Sequence, residues 1–370
     1  MVKKSGQKVR YAVVGLGHIA QVAVLPAFAH ATGNSRLAAL VSDNRTKLKE
    51  LSRRYRVQHT YVYDKYEDCL NSGEVDAVYI ALPNSLHAEY SIRAAQAGIH
   101  VLVEKPMAVT EKECLAMIRA AQRHRVKLMV AYRLHFEEAN LKAVALIKSG
   151  KVGQPRYFTS AFSLQVRPGN IRTKAELGGG TLYDLGIYCI NAARYLFQDE
   201  PREVIAYSAA RNDPRFKNID EMTAAVLRFS RDRVASFTSS FGAADVSSYE
   251  VVGTKGSVRL DPAYEYAFPL KLYLTIAGKT RLRTFSKRDQ FAPELLYFSD
   301  CVLNNKEPEP SGTEGLADVR TIEALHRSAR IRKSVKVRPV ALKKRPSLKQ
   351  EARRPPIAKP VVVQAKSGSV

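Results

Sequence analysis

Three hundred and seventy residues, 45% hydrophobic and 25% charged, fit an ordinary globular protein with room for two domains. Four scattered cysteines (Cys69, Cys114, Cys189 and Cys301) without a Cys-x-x-Cys pair argue against a disulfide scaffold or structural zinc site. The net charge of +24 invites a nucleic-acid reading, but residues 331–370 hold twelve Lys and Arg against one acid, leaving +13 for the other 330.

From residue 9 to residue 133, short β-branched runs alternate with helical stretches. The runs lie at 9–15, 36–42, 60–63, 77–83, 100–106 and 127–133. Apolar spacing predicts helices at 18–31, 45–55, 65–71, 85–97 and 111–124. Runs such as Tyr11-Ala-Val-Val are apolar on both faces, as buried parallel strands require. The pattern reads as an α/β, doubly wound parallel sheet over residues 8–133.

Gly15-Leu-Gly-His-Ile-Ala20 follows the first strand and opens the first helix. Gly15 permits a tight turn, Gly17 lets backbone approach a pyrophosphate, and Ala20 allows close helix–strand contact. The second strand ends in Ser42-Asp-Asn-Arg45, with Lys47 beyond. A carboxylate at the discriminating position suits the ribose hydroxyls of NAD, whereas a hydroxyl beside cations suits a 2′-phosphate. If Asp43 holds that position NAD follows; if Ser42 does, with Arg45 and Lys47 nearby, NADP follows, and this second arrangement is favoured. His87, after Pro83-Asn-Ser-Leu, is a candidate to face the cofactor, with a helix-start surface histidine as the competing reading. Glu104-Lys105-Pro106 closes the fifth strand at the edge where such sheets bind ligands.

After Tyr132 the rhythm changes. A helix at 137–149 precedes strand-like segments at 156–165, 203–210, 222–230, 234–242, 248–260 and 271–286, with turns expected at 231–233 and 253–256. They indicate an α+β domain with a large open, mostly antiparallel sheet over residues 134–335. Helices at 292–303 and 313–330 are expected to pack on it or on the first domain. Gly178-Gly-Gly leads into a helix on which Asp184 and Tyr188, four apart, share a face. A phenol near a lysine is a workable acid/base, with a buried structural Tyr–Asp pair as the competing reading. No spacing suits a metal.

Residues 336–370 interleave cations with prolines and read as a basic, disordered tail, whose removal near residue 340 is expected to leave cofactor binding intact. A tail-borne polyanion site lacks aromatic interleaving, so nucleic acid is a weak candidate partner. No apolar run of about 18 residues appears and no apolar segment follows Met1, so neither membrane nor secretion is expected. A cytoplasmic location is.

These motifs, together with Tyr132-Arg133 and Glu309-Pro-Ser-Gly-Thr-Glu-Gly-Leu-Ala-Asp-Val-Arg320, resemble the Gfo/Idh/MocA oxidoreductases over about residues 8–335. The glucose–fructose oxidoreductase branch is the most similar. The resemblance implies a Rossmann domain and a second domain whose sheet mediates a homodimer or homotetramer. It implies hydride transfer between NADP(H), with NAD as the other possibility, and a sugar-like polyol. Tyr188 would be the acid/base, assisted by Lys105 and Asp184. The nucleotide would be held by Gly15, Leu16, Gly17, His18, Ile19, Ala20, Ser42, Lys47, Pro83, Asn84, His87, Glu104, Lys105 and Arg133. Asn170-Ile-Arg172 stands where the branch often carries a Trp-Arg pair. The branch's N-terminal covering arm has no counterpart before Val9, so an exchangeable cofactor is expected. The competing class is a nucleotide-binding regulator or scaffold without turnover.

Overall fold

The structure, a computed structural model, describes residues 6–210, 213–342, 344–358, 360–365 and 367. Among these, β1 (Val9–Val14), β2 (Ser35–Val41), β3 (His59–Tyr61), β4 (Ala77–Ile80), β5 (His100–Glu104) and β6 (Leu128–Ala131) form a parallel sheet ordered β3-β2-β1-β4-β5-β6. The strand order reverses between β1 and β4. The crevice beyond their carboxyl ends is the position where open α/β sheets take ligands. Every residue of β4 and β6 is buried, which explains their unbroken apolar text.

The first crossover is less regular than the expected single helix. A π turn (Ala20–Val24) precedes α1 (Leu25–Ala27), and a 3-10 turn (Phe28–His30) follows. Pro26 has no N–H to give the preceding turn, so the ordinary ladder breaks there. The remaining connections carry α2 (Arg45–Tyr55), α3 (Tyr66–Leu70), α4 (His87–Gln96) and α5 (Glu111–Arg123), the last started by a Thr110–Glu113 capping box.

Next come α6 (Glu138–Lys148) and α7 (Ile187–Phe197) and, among the described residues, a nine-stranded sheet. Its strands are β7 (Pro155–Ser163), β8 (Glu203–Ala209), β9 (Met222–Arg228), β10 (Val234–Ser240), β11 (Val246–Gly253), β12 (Gly256–Leu260), β13 (Leu270–Ile276), β14 (Lys279–Phe285) and β15 (Val335–Lys336). They run in the order β14-β13-β12-β11-β7-β10-β9-β8-β15, with β7–β10 parallel and the other pairs antiparallel. The stretch 271–286, expected as one strand, is a hairpin turning at Ala277 and Gly278, both at positive φ. β9 alternates exposed and buried residues, so one face of the sheet is covered and the other open.

The last two helices lock the halves together. α8 (Ala292–Leu303) returns to the first domain, where Ser299 Oγ lies 2.8 Å from both Tyr11 Oη and Ser35 Oγ. α9 (Gly312–Ile331) pairs Arg320 with Glu111 on α5 at 2.7 Å and offers Ser328 Oγ to the Ala206 N–H on β8.

The stretch 336–370, expected to be disordered, instead lies along the body through its described residues. Arg345 pairs with Glu200 at 2.6 Å, Gln350 Nε2 donates to Glu309 O at 3.1 Å, and Arg354 Nε donates to His30 O at 3.0 Å. Proline excludes helix here, but it leaves an extended backbone whose cations reach carbonyls and carboxylates on both domains.

Candidate active site

At the end of β1, Gly15 has φ +93°, and a Cβ there would meet Ala81 O at 2.6 Å, so only glycine fits the turn. A Cβ on Gly17 would meet nothing within 4 Å, which leaves backbone N–H groups approachable. Leu16 is buried and its carbonyl accepts Gln21 Nε2 at 3.0 Å. His18 and Ile19 are half-buried at the helix opening, and Ala20 is wholly buried. The backbone beside Gly17 is thus left open where the first crossover starts, as close approach of a phosphate requires.

At the end of β2, Ser42 is buried and its Oγ accepts the Asn44 N–H at 3.3 Å. Asp43 Oδ1 is taken by the Tyr63 N–H at 2.8 Å. Asn44 caps α2, accepting the Lys47 N–H at 2.9 Å. Burial lowers the Lys47 pKa, and among the described residues no carboxylate pairs with it. A half-buried cation without an anion at a helix start suits a phosphate. The glycine loop and this corner therefore fit a phosphorylated dinucleotide.

Where β5 ends, Lys105 Nζ donates to Asp184 Oδ1 at 3.0 Å and to the Asp184 carbonyl at 2.9 Å. It also sits 4.9 Å from the centre of the Tyr188 ring. Burial opposes the Lys105 charge, but Asp184 and Tyr188 more than offset it, and the pKa rises. Burial likewise opposes the Asp184 charge, while Arg172 and then Lys105 hold it below the ordinary carboxylate range. Arg172 Nε is 2.7 Å from Asp184 Oδ2, an ion pair without hydrogen-bond alignment. Asp184 lies in a π turn (Leu182–Gly186) that runs into α7, and Tyr188 is the second residue of that helix. The first of the entry glycines packs against the first domain. Gly178 has φ +74°, its Cβ position would strike Val109 and Asn84, and Asn84 Nδ2 donates to its carbonyl at 2.8 Å.

The structure thus brings Lys105, Asp184 and Tyr188 together, as the sequence predicts. Other expected cofactor residues are placed differently. His87 does not face the cleft; it is fully buried, with Nδ1 2.7 Å from Pro106 O and Nε2 2.9 Å from Leu82 O. It joins the loops after β4 and β5, and burial lowers its pKa. Pro83 opens the next 3-10 turn, its carbonyl accepting the Leu86 N–H. Arg133 is 6% exposed, and its guanidinium is held by Gln290, the Tyr264 carbonyl and Tyr188 Oη, the last at 3.3 Å. Glu104 accepts Tyr79 Oη at 2.8 Å, and burial raises its pKa. Sequence reasoning assigned no role to Arg172, and Gln290 and Tyr264 escaped it altogether. Arg172 was visible as the cation near the glycines, whereas Gln290 and Tyr264 lie over a hundred positions from Arg133, their partner.

The family model described as "Oxidoreductase family, NAD-binding Rossmann fold" matches residues 9–132, and the "GFO/IDH/MocA C-terminal domain" matches residues 140–259. The chain is 32% identical over 336 residues to an NADP(+) D-xylose 1-dehydrogenase of Haloarcula marismortui, covering 89% of this chain and 93% of that one. It superposes on the aldose–aldose oxidoreductase of Caulobacter crescentus complexed with glycerol at a TM-score of 0.86 and 38% identity, covering 90% of this chain and all of the other. A 3-ketoreductase of Actinomadura kijaniata, solved with NADP and TDP-benzene, is 25% identical at a TM-score of 0.79, covering 87% and 98%. Two matched domains in one order, joined to relatives that align over nearly their whole length, make this chain a dehydrogenase or reductase of the Gfo/Idh/MocA oxidoreductase family.

Proposed function

We propose that the protein is an NADP(H)-dependent oxidoreductase of sugars or sugar-like polyols, with Tyr188 as the acid/base. The observation that carries this reading is Arg133 Nη2 donating to Tyr188 Oη at 3.3 Å beside the Lys105–Asp184 pair, at the carboxyl end of β5. When bound, the nicotinamide supplies or accepts the hydride at the reacting carbon. Tyr188 gives its phenolic proton to the carbonyl oxygen during reduction and takes one from the hydroxyl during oxidation. Arg133 donates to the phenolic oxygen and so stabilises the negative charge that develops there. Asp184 fixes the Lys105 ammonium where it reaches both the ring and a substrate oxygen.

NADP is preferred over NAD on three grounds. Asp43 is occupied by the Tyr63 N–H, Lys47 has no carboxylate paired to it among the described residues, and two relatives carry NADP in their names or complexes. We assign residues 8–133 to the dinucleotide and residues 134–335 to substrate and assembly. The open sheet face exposes Tyr157, Tyr207, Met222, Val226 and Val234, and it is the surface through which a homodimer or homotetramer forms. The four free, buried cysteines accord with a cytoplasmic location.

The test is a fluorescence titration with NADPH and NADH, followed by a panel of aldoses and keto-sugars with the tighter nucleotide. Tighter NADPH binding and turnover of at least one sugar are expected. Failure to bind NADP(H), or binding without hydride transfer to any carbonyl, overturns the reading.

A further inference from the structure

The end of the chain reaches the cofactor loops. After Arg354 bonds to His30 O, Ile357 packs on the core around the first crossover, and Arg54 on α2 donates to Val361 O at 2.5 Å. The chain therefore bridges the first crossover and α2. Val363 is 6% exposed and makes a reciprocal pair with one side chain: its N–H donates to Gln21 Oε1 at 2.7 Å, and its carbonyl accepts Gln21 Nε2 at 2.9 Å. The same Nε2 donates to Leu16 O, inside the glycine loop. The next residue, Gln364, accepts Asn44 Nδ2 on its Oε1 at 2.7 Å. Asn44 is the cap of α2 and stands between Ser42 and Lys47.

Two consecutive residues of this arm are thus bonded to the two loops that would hold the pyrophosphate and the 2′-phosphate. We propose that the C-terminal arm, through Val363 and Gln364, is a wall of the adenosine-phosphoribose subsite and sets how long NADP(H) stays bound. The proposal rests on the cofactor reading above and goes beyond it. Gln21 cannot turn from the arm without releasing Leu16 O, and Asn44 cannot swing from its cap without breaking from Gln364. The arm holds both loops in the ligand-ready shape, which lowers the ordering cost of binding. Because Gln364 sits at the phosphate corner, the effect is larger for NADPH than for NADH. The arm comes from the end of the sequence read as a dispensable tail.

Two variants test this. Truncation after Pro360 removes both contacts. It is expected to raise the NADPH Kd about tenfold and to speed NADPH release by a similar factor in stopped-flow fluorescence, the scale of a lost preorganising contact. Gln364→Glu keeps the arm but places a carboxylate at the phosphate corner. It is expected to weaken NADPH several-fold more than NADH, and because Gln364 is exposed this variant decides the matter if the truncation does not fold. Wild-type affinity and release rate in the folded truncation, or equal effects on both nucleotides in Gln364→Glu, overturn the role of the arm alone. Absence of NADP(H) binding by the wild-type protein overturns the cofactor reading beneath it.

Discussion

The two ends of the cleft balance their charges in opposite ways. At the proposed catalytic end each of these cations has a protein partner: Lys105 and Arg172 share Asp184, and Arg133 is held by Gln290, the Tyr264 carbonyl and Tyr188. At the proposed adenosine end Lys47 is half-buried with no carboxylate paired to it among the described residues, and neutral side chains of Ser42, Asn44 and Gln364 do the bonding. A closed charge balance lets a reactive group keep its geometry before substrate arrives. An open one draws in an anion. The difference predicts where substitutions change the rate and where they change nucleotide affinity.

The largest effect belongs to the closed end. Tyr188→Phe and Lys105→Ala are each expected to lower kcat by at least roughly a hundredfold, the scale of losing an acid–base group. Their NADPH Kd should stay within about threefold of wild type, because the adenosine-end contacts remain. Near-normal kcat in Tyr188→Phe would remove the phenol from the chemistry. Asp184→Asn comes next. It leaves two cations around a neutral group, and breaking a largely buried pair costs on the order of 3 kcal/mol, here discounted for the 14–17% exposure of the Lys105 and Asp184 side chains. A lower Tm in thermal melts is the readout. The pH dependence follows from the depressed Asp184 pKa. Its contribution is complete above the unfolded value of about 3.9 and is lost as pH falls through the lower folded value. Asp184→Asn should therefore lose that acid-side slope, and an unchanged acid limb would place the slope elsewhere.

The closed end was also the more legible one. Lys105, Asp184 and Tyr188 fall at positions where strand ends and helical spacing announce themselves, because a buried parallel strand must be apolar and its end must be a turn. The six strands of the first sheet were legible for the same reason. Arg133 was expected only as a nucleotide contact and its protein partners were not foreseen, since its three acceptors lie 55, 131 and 157 residues away. β14 was hidden for a different cause. Six of its seven residues are exposed, so no alternation marks it, and Ala277 is not a residue that signals positive φ. The arm was misread because cation–proline text looks the same whether or not something distant accepts its hydrogen bonds. Its partners Gln21, His30 and Glu200 cannot be paired with it by local pattern.

The open end gives smaller effects. Lys47→Ala should weaken NADPH by about tenfold, the worth of one charge-assisted phosphate contact, and leave NADH nearly unchanged in parallel titrations. Equal losses for both would mean that Lys47 does not meet the 2′-phosphate.

Salt gives the last and smallest contrast. Screening lengths are about 10 Å at 0.1 M salt and about 3 Å at 1 M, and exposed charges are screened more than buried ones. Lys47 is only half-buried, so raising the salt should weaken NADPH binding several-fold. The Lys105–Asp184 pair is only 14% and 17% exposed, so kcat at saturating nucleotide should hardly move. Lys47→Ala should flatten the NADPH salt slope towards that of NADH, because the variant no longer presents the screened charge. If kcat falls with salt as steeply as affinity does, the two ends are not electrostatically distinct, and the closed balance around Asp184 is not what holds Lys105 in place.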